Sequence, residues 1–138
     1  VEHLLREDPA ADILVLGDLH ENVGELEGEI LLCADPREAG VGPRGLAFYA
    51  PWYALPPERR GSSVYRRRWQ TPDHILLTPG LFDGNGFSYR RGSFRVARQS
   101  HLLAPGSGFP LRFRPELRPH GGGGTSDHLP LLLELESH

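Results

Sequence analysis

Apolar positions along this chain gather in short runs separated by glycine, proline and charge, and each run predicts a short element. VEHLLREDPA, residues 1–10, reads as the last turns of a helix with Leu4 and Leu5 inward, stopped by Pro9. In ADILVLGD the unbroken run Ile13, Leu14, Val15, Leu16 predicts a fully buried strand with Asp18 at its C-terminal mouth. Residues 23–33 set Leu26, Ile30 and Cys33 at helical spacing, although two glycines weaken that helix. From Asp35 to Pro57 proline and glycine are frequent, and an ordered loop with one short helix is expected. SSVYRRRWQ predicts a strand, an arginine turn and a second strand; DHILLT predicts another strand between Pro72 and Pro79. GFSYRRG and FRVAR are weaker strand candidates, and residues 104–124 read as a loop ending in four glycines. The final LPLLLELE alternates from Leu131, with Leu131, Leu133 and Leu135 on one face of a half-buried strand.

Length and composition narrow the picture without changing it. A chain of 138 residues suits one domain with a real core. With 38% hydrophobic and 24% charged residues it has the composition of a folded globular protein. A net charge of -3 gives no global attraction to nucleic acid or anionic membranes, so phosphate recognition has to be local. All 15 basic residues are arginine, which reads as base composition before it reads as function. One cysteine excludes an internal disulfide, and no run is long enough to span a bilayer. Methionine is absent, at position 1 as elsewhere, and the expectation is a piece of something longer.

The chemistry lies where three apolar strands meet an aspartate. Asp18 follows ILVLG, Asp73 precedes HILL and Asp127 precedes HLPLLL. Strand ends converge on one rim of a layered sheet, where side chains can point into a shared cleft. The constellation is then Asp18, His20, Asp73, Asp127 and His128. Carboxylates beside an imidazole suit metal-assisted hydrolysis of a phosphate ester, with hard oxygen ligands for Mg²⁺ or Mn²⁺ and a base near neutrality for water. Each member also has a plain reading: Asp18 as a turn residue or cap, Asp127 and His128 as a turn, His74 as structural because alternation turns it away from Asp73. Arg66, Arg67 and Arg68 could grip a phosphate, but also fit a solvated hairpin turn.

Taken in order, LGDLHEN, WQTPDHILL and SDHLP resemble the late motifs of the endonuclease/exonuclease/phosphatase superfamily: Gly-Asp-(aromatic or Leu)-Asn, Trp-x-x-x-Asp-(His or Tyr)-(Ile or Phe)-Leu, and Ser-Asp-His-x-Pro. The resemblance covers nearly the whole chain. It implies an α+β fold, a four-layer α/β/β/α sandwich of the deoxyribonuclease I-like type, with residues 1–138 as its C-terminal half. It implies a divalent-metal-dependent phosphoesterase, a nuclease or phosphatase, acting on a phosphate ester that includes nucleic acid among its candidates. Asp127 and Asp18 are the implied metal ligands, His128 acts on water or phosphate, Asp73 orients His128, and Trp69 packs beneath the site. His20 stands where the family carries asparagine, and Asn22, with Arg66, Arg67 and Arg68, is assigned to substrate. The family's N-terminal half, with its glutamate ligand, has no counterpart in these motifs. The fragment is therefore expected to turn over little by itself, and the alternative is a catalytically silent member serving as a binding or scaffold domain.

Overall fold

In a computed structural model of the chain, residues 1–25, 30–113 and 123–138 are described. Helix α1, Glu2–Glu7, buries Leu5 and leaves Leu4 exposed. The strands that follow are β1 Leu14–Asp18, β2 Leu31–Cys33, β3 Gly40–Gly42, β4 Gly45–Tyr49, β5 Ser63–Tyr65, β6 Arg68–Gln70, β7 Asp73–Leu77, β8 Phe87–Tyr89, β9 Arg95–Val96, β10 Leu131–Leu132 and β11 Leu135–Ser137. Among the described residues the result is a mixed α/β fold: a five-stranded sheet in the order β1-β7-β4-β2 with β3 on β4, and three two-stranded sheets, β5-β6, β9-β10 and β8-β11. Strand β2 runs parallel to β4, and the other pairings are antiparallel.

β1 and β7 pair along their whole length, from Leu14 opposite Leu77 to Asp18 opposite Asp73. Period-two alternation then sorts the side chains. Leu14, Ile75 and Leu77 join one cluster, built around Trp52, Leu81, Tyr89 and Phe94. Val15 and Leu76 join a second, with Phe48 and Ala50. Both faces of β7 are thus apolar and covered, which is why DHILL reads as a near-continuous hydrophobic run. Trp52 is fully buried, meets Phe94 edge to face at 5.1 Å and donates its indole N–H to the Asp73 carbonyl at 2.9 Å.

Several expectations need correction. β1 is not fully buried: it is the edge of its sheet, and Leu16 is 67% exposed. Residues 31–33 form a strand rather than helix, because Leu31, Leu32 and Cys33 ladder onto β4; Leu26 lies outside the described residues. The stretch from Asp35 to Pro57 is not mainly loop; it supplies β3, β4 and two short 3-10 turns, with β4 near the middle of the sheet. The last strand is broken in two, since β10 pairs with β9 and β11 with β8. Leu131 and Leu133 still pack on the main core, but Leu135 is 39% exposed. The arginine hairpin, α1 and the strands at 73–77, 87–89 and 95–96 appear where the pattern put them, but Leu4, expected inward with Leu5, is exposed because α1 buries one face of a single turn and a half. Of the four glycines, Gly121 and Gly122 lie outside the described residues.

Candidate active site

The site begins with the register of β1 on β7. Cross-strand partners project to the same face, so the Asp18 and Asp73 carboxylates are set side by side at the rim. Like charges directly opposite oppose pairing, and His128 answers them. Its Nδ1 lies 2.8 Å from Asp73 Oδ2 and 3.9 Å from Asp18 Oδ2. An ionised carboxylate only accepts, so Nδ1 carries hydrogen and Nε2 is left for chemistry. Ser62, fully buried, donates its hydroxyl to the same Asp73 oxygen.

His128 is held by backbone. It bridges Ser63, Leu129 donates to the Ser62 carbonyl at 2.6 Å, and Ala97 donates to the Pro130 carbonyl at 2.8 Å. The Ser126 hydroxyl accepts from the His128 N–H at 3.0 Å, closing the turn that precedes it. Upstream, Gly61 has φ +123, and an added Cβ would stand 2.7 Å from the Trp69 Cβ. Only glycine lets the chain pass there and deliver Ser62 to Asp73. Trp69 packs under this corner, with the Arg98 guanidinium 4.2 Å above its ring and Phe109 edge-on at 5.9 Å.

Asp18 serves two purposes. Oδ1 accepts from the His20 N–H at 2.9 Å, the side-chain turn expected of an aspartate after a strand. Oδ2 remains to face His128. His20 has φ +60, a left-handed conformation that asparagine tolerates well and histidine less often. Its side chain is 87% exposed, and its Nδ1 is 3.8 Å from Asp18. Asn22 is not turned to the cleft: its carbonyl accepts from Thr71 N–H at 2.7 Å, and its amide donates to Gln70 at 2.8 Å and Glu25 at 2.9 Å. Both amide hydrogens have partners within the protein.

Asp18, Asp73 and His128 each offer one ligand atom within 4.8 Å of the others, and line a cavity of about 370 Å³ with Leu16, Ser126 and Leu131. Asp18 Oδ2 and the remaining Asp73 oxygen are hard donors, suited to a divalent ion that keeps several waters. Asp127 is outside this group. Asp127, in the bend before His128, lines a neighbouring cleft with Arg66, Arg67 and Arg112. Arg68, the first residue of β6, is not among the residues lining that cleft. His74, on the opposite face of β7, is buried, and its Nε2–H donates to the Glu21 carbonyl at 2.9 Å. Burial, against the Glu21 hydrogen bond and the nearby carboxylates, pushes its pKa down and keeps it neutral. Ser62, Arg112 and Phe109 carried no motif signal; their places follow from hairpin register and loop hydrogen bonds that no short pattern encodes.

Fold and site together define a mixed α/β protein with a paired-carboxylate and imidazole cluster at a strand rim. The chain belongs to the Endonuclease/Exonuclease/phosphatase family, whose model matches residues 1–137. Membership of that family suggests hydrolysis of a phosphoester. No curated protein and no solved structure matches the chain. Among the described residues no helix is long and apolar enough to cross a membrane.

Proposed function

We propose that this chain carries the imidazole side of a divalent-metal-dependent phosphoesterase site. One observation supports this above all: the 2.8 Å contact between His128 Nδ1 and Asp73, beside an Asp18 paired in register with Asp73. Asp73 fixes the imidazole tautomer and orientation, and Ser62 holds Asp73. His128 Nε2 then takes a proton from the attacking water or donates to a phosphate oxygen. Asp18 and Asp73 are the oxygen donors for Mg²⁺ or Mn²⁺; when bound, the ion would neutralise phosphate charge and acidify water. Asp127 faces the arginine cleft and is given no ligand role in this reading.

The reading takes residues 1–138 as the C-terminal part of one family domain, with the four-layer sandwich and further metal ligands contributed from elsewhere in it. Its support is the apolar edge strand β1, whose Leu16 is 67% exposed beside the cluster. The test is Mg²⁺-dependent hydrolysis of bis-(p-nitrophenyl) phosphate by the full-length parent protein, with His128→Ala in that protein as control. A metal-dependent rate that falls at least about 100-fold in His128→Ala is expected, the lower end of general acid–base contributions. Equal rates for the two proteins would reject the proposal and favour a silent binding domain, consistent with His20 at the asparagine position.

A further inference from the structure

The corner that carries Ser62 is gripped by one side chain from outside the site. Arg98 has its guanidinium carbon 4.2 Å from the Trp69 ring centroid, and its Nη2 donates to the Gly61 carbonyl at 3.3 Å and to the Arg59 carbonyl at 3.4 Å. That nitrogen carries two hydrogens, one for each oxygen. Its partners among the described residues are two carbonyls and a ring, none of them a carboxylate. A planar guanidinium can stack and donate along its own plane at once, which an ammonium cannot.

The Gly61 carbonyl and the Ser62 N–H belong to one rigid peptide plane, and its two ends are held from different sides. Arg98 takes the oxygen, and the Gln70 carbonyl accepts the N–H at 2.9 Å. Beyond Ser62 the next peptide is held as well, its carbonyl accepting from Leu129 N–H. With both flanking peptides fixed, the direction of the Ser62 side chain is fixed, and its hydroxyl meets the Asp73 oxygen that His128 Nδ1 also reaches. Glycine at 61, with φ +123, permits the close passage over Trp69 but leaves the backbone freer to rotate than any other residue would. Arg98 removes that freedom. The residue before it, Ala97, donates to the Pro130 carbonyl at 2.8 Å, just beyond His128. Residues 97 and 98 thus hold both the segment that carries Ser62 and the segment that carries His128.

From this arrangement we infer that Arg98 is a positioning residue for the Asp73–His128 pair, acting through the Gly61–Ser62 peptide and the Ser62 hydroxyl, an inference that rests on the reading of that pair as part of the hydrolytic site. Arg98 does not line the cavity shared by Asp18, Asp73 and His128. Without its grip the peptide rotates, the Ser62 hydroxyl leaves Asp73, and the carboxylate that orients the imidazole loses an anchor.

The test is a double-mutant cycle in the full-length parent protein, with Mg²⁺-dependent hydrolysis of bis-(p-nitrophenyl) phosphate as the first readout. Arg98→Gln should lower kcat roughly tenfold with KM unchanged, short of the hundredfold that misplacement by about 1 Å can cost. In a Ser62→Ala background the same change should lower kcat no further. Arg98→Lys, which keeps the charge beside Trp69 but not the donation in the ring plane, should behave as Arg98→Gln; rates are read well below each variant's melting temperature, so that lost folding is not taken for lost positioning. A full rate in either Arg98 variant, or losses that multiply with Ser62→Ala, would overturn the role. The second readout needs no turnover: in EDTA the His128 Nδ1 proton, held by a carboxylate, gives a nitrogen-coupled NMR resonance downfield of ordinary imidazole N–H groups. It should broaden or move upfield in both Arg98 variants and in Ser62→Ala. A resonance that responds in a protein without hydrolysis would mean that the catalytic assignment is wrong and the positioning stands. A resonance indifferent to Arg98, or none in wild type, overturns the positioning and, where the protein hydrolyses the ester, leaves the site in place.

Discussion

Asp18→Asn separates the two duties of Asp18 in one experiment. Asparagine is as good a turn residue, and its carbonyl can keep the 2.9 Å bond from His20 N–H. What it removes is one of two carboxylates whose oxygens lie within 4.8 Å of each other and of His128. Two unit charges at that distance repel by roughly 1 kcal/mol in water and roughly 3.5 kcal/mol at an effective dielectric constant of 20. The Asp18 side chain is 37% exposed, so solvent screening leaves about 1 kcal/mol to be recovered. In EDTA at low salt the variant should therefore melt about 3–5 °C higher than wild type, given the size of the domain. Mg²⁺ should reverse the order, because a ligand that binds the folded state stabilises it in proportion to its affinity, and the variant has lost a hard donor. The assay is thermal unfolding followed by circular dichroism, with and without about 10 mM Mg²⁺, roughly tenfold above a weak-site Kd, where binding stabilises by about 1.4 kcal/mol and so outweighs the gain seen in EDTA. An unchanged melting temperature in EDTA, together with equal Mg²⁺ shifts in both proteins, would show that Asp18 is a turn residue and nothing more.

Three further outcomes are expected. Arg66→Asn with Arg67→Gly should stabilise the protein by about 1–2 kcal/mol in urea unfolding, because these residues suit a left-handed two-residue turn; lower stability would show that the arginines hold the hairpin together. Gly61→Ala should destabilise by about 2–3 kcal/mol, since φ is +123 and the Trp69 Cβ would be 2.7 Å away; a neutral effect would mean that the corner at Gly61 is not tightly built. His74 has its pKa held below the ordinary value by burial, so the unfolded chain binds a proton that the folded chain refuses once pH drops below the unfolded value near 6.5. Stability should then fall between that pH and the lower folded value, and His74→Gln, which can keep a donor for Glu21, should flatten this part of a urea-midpoint profile; an unchanged slope would contradict it.

The hairpin at 63–70 and the strand at 73–77 were legible because local rules sufficed: alternation, a two-residue turn and flanking prolines. Neighbouring readings failed where long-range pairing decided the outcome. Residues 23–33 fit a helix by the spacing of Leu26, Ile30 and Cys33, yet Leu31, Leu32 and Cys33 gain ladder bonds from β4, a partner first recognisable only once Gly45–Tyr49 is known to be a strand. The unbroken run before Asp18 looked buried on both sides, but its length carries no sign that it forms the edge of a sheet. In the site, the spacing of Asp18, Asp73 and His128 over more than a hundred positions gave no distances; their places at strand ends and the motif order suggested that they meet. Asp127 shared the motif and not the place, because the bend closed by the Ser126 hydroxyl reverses the side-chain direction between Asp127 and His128.

That reversal shows how far the site depends on register. A one-residue slip of β1 on β7 would set Gly17, not Asp18, opposite Asp73 and turn Asp18 to the face of His74. What prevents it is packing and hydrogen bonding remote from the chemistry. At one end Thr78 clamps the chain before β1, its hydroxyl accepting from Ile13 N–H at 2.9 Å and donating to the Ala11 carbonyl at 2.7 Å. At the other, Leu19 N–H donates to the Pro72 carbonyl at 2.8 Å, Thr71 N–H donates to the Asn22 side-chain carbonyl, and His74 donates to the Glu21 carbonyl, so the chain after Asp18 is bound to Thr71 and to β7. Between the clamps, Leu14 with Leu77 and Val15 with Leu76 commit the two faces to separate cores, so a slip would exchange both at once. His74 and Asn22 thus act on the cluster without entering it, by holding two mutually repelling carboxylates in the only register that brings His128 to both.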